Sequence, residues 1–305
     1  MKNQLLSKRI LLTGGTGLIG NKLTKLLLQK GYSVNHLSRK AADIPGVQTY
    51  SWNIDKNDID ERCIEGADII IHLTGAGIAD KRWSDKRKKE IIESRTKSIQ
   101  LIYSLLAKHG NKVKRVISAS AIGYYGDRGD ELLTEGNPPN NDFIARCCVE
   151  WEASVGEGRL LGLKITKFRT GVVFAKGGAL AKMALPIKLY VGSALGSGRE
   201  WVPWIHLQDV IDMYLFAIEN DSFEGVYNMV APNPVTNKQL TQAIARQLHK
   251  PLWTPNVPAF ILKLLMGEMS TIALASTKVS CKKIGDAGFR FKYDNVADAL
   301  KGIYG

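Results

Sequence analysis

Three glycines at a fixed spacing carry the clearest chemistry in this chain. They are Gly14, Gly17 and Gly20 of the run Thr13-Gly14-Gly15-Thr16-Gly17-Leu18-Ile19-Gly20. The apolar stretch Arg9-Ile10-Leu11-Leu12 precedes them, and Leu18, Leu23, Leu26 and Leu27 share one helical face after them. The octamer therefore reads as a strand-to-helix turn, where free backbone N–H groups and a helix N-terminus can meet a pyrophosphate. Gly14 permits the tight turn, Gly17 lets backbone approach phosphate, and Gly20 lets helix and strand pack closely. Gly-rich turns also occur without ligands. Its place at the first strand of an alternating chain makes this one read as a dinucleotide site.

The end of the second strand bears on which dinucleotide. A site selecting NAD places Asp or Glu there to accept from the ribose 2′-OH. Here Val34-Asn35-His36-Leu37 runs into Ser38-Arg39-Lys40. Those residues hold no carboxylate, while the Ser38 hydroxyl and Arg39 guanidinium suit a 2′-phosphate. The expectation is NADP(H) in preference to NAD(H). A solvent-facing loop arginine is the alternative for Arg39, and His36 reads as a core or edge histidine.

The elements that must position these residues follow from hydrophobic periodicity. Strand-like runs fall at about 9–13, 33–38, 68–73, 114–118 and 164–168, with helix-period stretches at about 18–29, 84–108 and 143–155 between them. Alternation of this kind predicts an α/β fold, a doubly wound parallel Rossmann sheet with ligands outside the carboxyl ends of its strands. The expected nucleotide-binding domain covers 1–175, with 205–230 returning to it. Beyond Phe174 the chain becomes rich in Gly and Pro, and residues 176–305 read as a smaller substrate-side lobe.

Composition narrows the class. The chain has 305 residues, 45% hydrophobic and 23% charged, as an ordinary globular protein does. No apolar run reaches the roughly 20 residues that span a bilayer, and no signal peptide pattern fits, so no membrane partner is expected. Cys63, Cys147, Cys148 and Cys281 show no metal spacing, which points to a reduced, cytoplasmic setting without a metal. The net charge of +13 is densest from Lys81 to Lys97. That run opens a helix whose other face carries Ile92, Ile99, Ile102 and Leu106, so its charges read as solvated surface rather than a nucleic-acid site.

Further blocks resemble one known family. The glycine turn resembles the T-G-x-x-G-x-x-G pattern of extended short-chain dehydrogenase/reductases. The narrower likeness rests on His72-Leu73-Thr74-Gly75-Ala76-Gly77-Ile78-Ala79, Glu93-Ser94-Arg95, Ser118-Ala119-Ser120-Ala121-Ile122-Gly123-Tyr124-Tyr125-Gly126 and Trp204-Ile205-His206. Near the end, Gly267-Glu268-Met269 and Gly288-Phe289-Arg290-Phe291 complete it. Together they resemble the epimerase-family branch, whose members are labelled sugar-nucleotide epimerase-like or cell-division-inhibitor-like. The resemblance spans the whole chain and includes a C-terminal domain at about 250–305. It implies that the 13–20 turn cradles the pyrophosphate and Arg39 the 2′-phosphate. It also implies that Leu73, Thr74, Gly75 and Ala76 run beside the adenosine ribose. Ser118 and Ser120 would end the strand facing the nicotinamide, flanked by Arg169, Thr170, Gly171 and Val172.

Two departures stand against that pattern. Hydride-transferring relatives use Tyr-x-x-x-Lys on a helix, where i and i+4 share a face and the ammonium favours the phenolate. None of the ten tyrosines here is followed four residues later by lysine. Phe143 and Cys147 stand at the matching helical places. Ser120, Tyr124 and Tyr125 are then the candidate catalytic hydroxyls, while Cys147 reads as inert core and Glu150 and Glu152 as helix surface. Sugar-nucleotide enzymes also carry an arginine four residues before the His of the later block, where this chain has Val202. Arg199 lies three residues further back. Trp83, Trp201 and Trp204 suggest aromatic pocket walls around an unknown small molecule. His206 and Asp209 read as structural, His206 on a loop carbonyl and Asp209 as a helix cap.

Three functions stay open at this level. One is an NADP-dependent reductase or epimerase with a rewired proton donor, and the second a non-catalytic NADP sensor working through a partner. The third, a nucleic-acid-associated protein, rests on charge alone. A homodimer is the expected assembly, if there is one.

Overall fold

Ile10, Leu11 and Leu12 are all fully buried, although their side chains alternate between the two faces of one strand. Such a run is stable only in the middle of a sheet covered on both sides. A computed structural model shows that sheet; it describes residues 8–40 and 43–305, so the start of the expected first domain lies outside the described residues. Its first strands are β1 (Arg9–Thr13), β2 (Ser33–Ser38), β3 (Val47–Asn53), β4 (Asp58–Ile59), β5 (Ile69–His72) and β6 (Arg115–Ala121). Lys164–Thr170 and Gly225–Met229 complete eight strands. The order is Gly225–Met229, Lys164–Thr170, β6, β5, β1, β2, β3, β4, parallel throughout except for the β3–β4 pair.

The alternation divides the core in two. Ile10, Leu12, Ile69 and Ile71 pack with Leu23 and Leu27 of α1 (Leu18–Gln29) and with Val210 and Tyr214 of helix Leu207–Glu219. On the other face Leu11, Ile70 and Val116 meet Ile99, Ile102 and Leu106 of α2 (Asp85–Lys108) and Trp151 and Val155 of α3 (Phe143–Gly156). A third cluster holds the later chain together, with Leu180, Ala184 and Ile187 against Leu240, Ile244, Leu300 and Ile303. No described helix is long and apolar enough to cross a membrane.

The strand order reverses between β1 and β5, because the chain passes from β1 outward to β2 on one side and returns to β5 on the other. The crevice above those two strand ends is where such a sheet binds its ligand.

Candidate active site

The turn after β1 is built by close contact. Gly14 has φ +70°, and a methyl group there would lie 3.0 Å from the Leu73 carbonyl. A methyl group on Gly15 would overlap the His36 imidazole, and one on Gly20 would overlap the Gly14 carbonyl oxygen. The chain thus packs α1 and the strand ends as tightly as backbone permits. The Thr13 hydroxyl accepts from the Leu73 and Thr74 N–H groups at 3.1 and 3.3 Å, tying β1 to the loop after β5. Gly17 is the N-cap of α1, and no side chain caps that first turn. Thr16, Gly17 and Leu18 are exposed there, with Ile19 half-buried behind them. An uncapped helix N-terminus on a cradle that any Cβ would fill fits a pyrophosphate.

Beneath the cradle His36 is buried, with Nε2 on the Thr24 hydroxyl at 2.8 Å. Burial pushes its pKa down to about 4, so the ring is neutral and serves as a packing wall for Gly15. At the end of β2, Ser38 is half-buried and Arg39 exposed. Arg39 belongs to a cationic edge. Glu90 is held below the usual carboxylate range first by Arg87, with Lys81 and Arg39 adding to the field.

Two arginines expected on the solvated face of α2 are buried. Arg95 donates to the Ile91 and Ala76 carbonyls at 2.8 and 3.0 Å and sits over the Trp151 ring, while Arg87 donates to the Gly77 carbonyl at 2.5 Å. Ala76 N–H donates to Ser94, and Gly75 lies so close to Arg95 that a methyl group would be 2.8 Å from its guanidinium carbon. Part of the basic run therefore holds the 75–78 loop in place. Arg95 occupies the apolar stripe between Ile91 and Ile99, and that spacing was the available sign of its burial.

The candidate hydroxyls lie at the end of β6 and just beyond it, and they are not equivalent. Ser118 is buried against His72 at 3.1 Å. Ser120 is buried and donates to Glu152 at 2.7 Å. Glu152, expected on the helix surface, is buried in a two-point ion pair with Arg169 at 2.8 and 3.0 Å. It follows Cys148 by four residues and precedes Val155 by three, so it stands on the buried stripe of α3. Burial opposes the Arg169 charge, but the Glu152 carboxylate outweighs that and raises its pKa. Arg169 also donates to the Tyr125 hydroxyl at 3.0 Å, and Tyr125, wholly buried, donates to Asn228 at 2.7 Å. Only half-buried Tyr124 differs, its ring lying 3.4 Å from the guanidinium carbon of Arg169.

Phe143 and Cys147 pack in the core with Ile91, and burial pushes the Cys147 thiol up. Trp83 stands edge-on to Phe143 and donates to the Ile78 carbonyl. Trp201 is half-buried and bonded to Asp130 at 2.6 Å, and Arg199 is exposed. Trp204 does not wall a pocket: it is buried, stacked on Phe174, with its N–H on the Asn233 carbonyl. Gly171 and Val172 pack on Pro203, and Val172 pairs with Trp204. His206 caps helix Leu207–Glu219 by accepting from Gln208 N–H rather than donating to a carbonyl. Asp209 instead accepts from the Lys292 and Tyr293 N–H groups, pinning the end of the chain to that helix.

That C-terminal part also fixes the loop after Tyr125. Arg128 N–H donates to the Ser276 carbonyl, Thr277 to the Gly126 carbonyl, and Lys278–Val279 pairs with Leu132–Leu133. Among the described residues no group of His, Cys, Asp or Glu could hold a metal ion.

The model of the NAD dependent epimerase/dehydratase family matches residues 10–229. This chain belongs to that family. A domain of unknown function, DUF1731, matches residues 257–303. The chain is 36% identical over 293 residues to epimerase family protein YfhF of Bacillus subtilis, covering 95% of this chain and 96% of that one. It is 35% identical over 303 residues to the chloroplastic SDR39U1 homologue of Arabidopsis thaliana, covering 95% and 85%. Among solved structures, human epimerase family protein SDR39U1 with NADPH superposes with a TM-score of 0.85 at 28% identity, covering 97% of this chain and 99% of that one.

Proposed function

We propose that the protein is an NADP(H)-dependent oxidoreductase or epimerase acting on a small carbonyl or hydroxyl substrate, with Tyr124 as its proton-transferring group. The cofactor reading rests on the uncapped glycine turn, on a strand end that offers Ser38 and Arg39 without a carboxylate, and on the NADPH of the human relative. Residues 13–20 would hold the pyrophosphate, Arg39 the 2′-phosphate, and Leu73 to Ala76 the adenosine side. Bound there, the cofactor supplies or accepts a hydride.

One observation carries the catalytic part. Ser120 and Tyr125 have committed their protons to Glu152 and Asn228, whereas the half-buried Tyr124 phenol lies against a fixed guanidinium. Tyr124 keeps its hydroxyl out of that network, while the Arg169 guanidinium stacked on its ring face holds the phenol in place. A screen of aldehydes, quinones and sugar nucleotides for NADPH oxidation comes first. On a substrate so found, Tyr124→Phe should cut kcat by about 10²–10⁴-fold and leave NADPH affinity unchanged.

The same committed hydroxyls, with Phe143 and Cys147 in the core, favour a second reading, a cofactor sensor that works through a partner. Tight NADPH binding with no turnover across the panel would select it. Nucleic acid is not part of either reading, since Arg87 and Arg95 are engaged within the fold.

A further inference from the structure

Two stretches distant in sequence meet beside the loop that follows the cofactor crevice. Helix Gly178–Lys188 places Lys182 on the Ala79 carbonyl, and Gly267, at the end of helix Ala259–Met266, abuts Arg82 three residues along the same loop. A second link runs behind them, with Thr254 donating to the Gly192 carbonyl and Lys250 to the Tyr190 hydroxyl.

Both stretches turn large apolar side chains outward. Leu185, Leu189 and Val191 are 55%, 63% and 58% exposed, and Phe260, Leu264 and Leu265 are 69%, 77% and 67% exposed. Leu262 is the one residue of helix Ala259–Met266 that is buried. Scattered exposed leucines need no explanation, but two neighbouring stretches that each expose several do. Within the two stretches the charge has one sign, and Glu268, just beyond the second, is paired with Lys88. Residues 176–191 and 250–266 together contain five lysines and no Asp or Glu.

We propose that this face docks on an anionic lipid surface. Apolar side chains that enter the headgroup boundary, ringed by lysines that meet phosphate, are what interfacial binding requires. A second copy of the chain fits less well, because a two-fold interface would set the same lysines against each other. No spanning segment is needed, as the patch is assembled from two short helices and their flanks.

The test is co-sedimentation of the full-length protein, with NADPH present, on vesicles of phosphatidylcholine alone and of phosphatidylcholine mixed with phosphatidylglycerol. Binding is expected on the mixed vesicles only, weakening as salt rises. Leu264→Ser with Leu265→Ser, and separately Lys188→Glu with Lys263→Glu, should each lower the bound fraction by about tenfold or more, with NADPH affinity retained. Phe260→Ser serves as a second apolar variant. No binding to mixed vesicles at low salt overturns the proposal. So does binding that the apolar changes leave intact, or concentration-dependent self-association that those changes abolish. None of these outcomes depends on whether Tyr124 is catalytic.

Discussion

Arg39 stands exposed at the end of β2 within a cationic edge that includes Lys81 and Arg87. If it grips a 2′-phosphate, removing it deletes a charge-assisted contact worth about 1.5–3 kcal/mol. Arg39→Ala should therefore weaken NADPH roughly tenfold to a hundredfold and leave NADH nearly unchanged. Calorimetric titration of both cofactors measures this, and tighter NADH than NADPH binding by the wild type would refute it. The adjacent tyrosines separate at the same scale. Tyr125→Phe strands the Asn228 oxygen in a wholly buried place and leaves one Arg169 nitrogen with the Glu135 carbonyl alone. It should cost about 1–3 kcal/mol in a denaturant titration without abolishing turnover. A Tyr125→Phe protein as stable as wild type would mean that the buried network is not held as described.

The strand–turn–helix from β1 to α1 works as one element. Its glycines differ in what a side chain would meet, and Gly20 is the strictest because the obstacle is the Gly14 backbone rather than a movable side chain. Gly20→Ala is expected to push α1 off the turn, lower the thermal midpoint and weaken NADPH by at least about tenfold. Gly110→Ala, with open space around it, should change neither. Fluorescence titration of NADPH and a melting curve on both variants decide it. Equal behaviour of the two would show that the close packing is not required.

At the scale of the whole molecule, three histidines are neutral in the fold. Burial takes His36 to about 4, His72 to about 3 with Arg95 adding to the effect, and His206 to about 4 with Lys292 adding. Each lies below the unfolded value of about 6.5. Between about pH 6.5 and pH 4 the unfolded chain binds protons that the folded chain refuses, so this stability is present above 6.5 and lost as pH falls. Asp209 works in the opposite direction. Burial raises it to about 6 despite two N–H donors, so below that pH the folded chain holds one proton the unfolded chain lacks. Three against one leaves a net uptake of about two protons on unfolding. Denaturant midpoints should fall steadily from about pH 7 to pH 5; a flat or rising profile would contradict the assignment.

The glycine turn, the alternation of strands with helices and the end of β2 are local patterns, and local patterns are what a sequence displays. Backbone freedom at Gly14, the stripe of Leu23 and Leu27 and the lack of a carboxylate beside Arg39 need no knowledge of distant residues. β3 escaped that reading because it is near the sheet edge, where its half-exposed side chains carry little hydrophobic signal. The return of 205–230 to the sheet is expected, but Gly225–Met229 is not assigned as its strand, because its partner Lys164–Thr170 lies far back in the chain. Which hydroxyl is free was decided only in three dimensions. Ser120, Tyr124 and Tyr125 look alike within six residues, yet Glu152, Arg169 and Asn228 arrive from separate elements to engage two of them and stack on the third. The proposed lipid-facing patch was likewise decided by the fold: the apolar run at 257–266 is visible in sequence, but its exposure and its place beside 176–191 are not. A side chain's neighbours along the chain set its conformation, whereas burial and proton partners are set by whatever the fold brings against it.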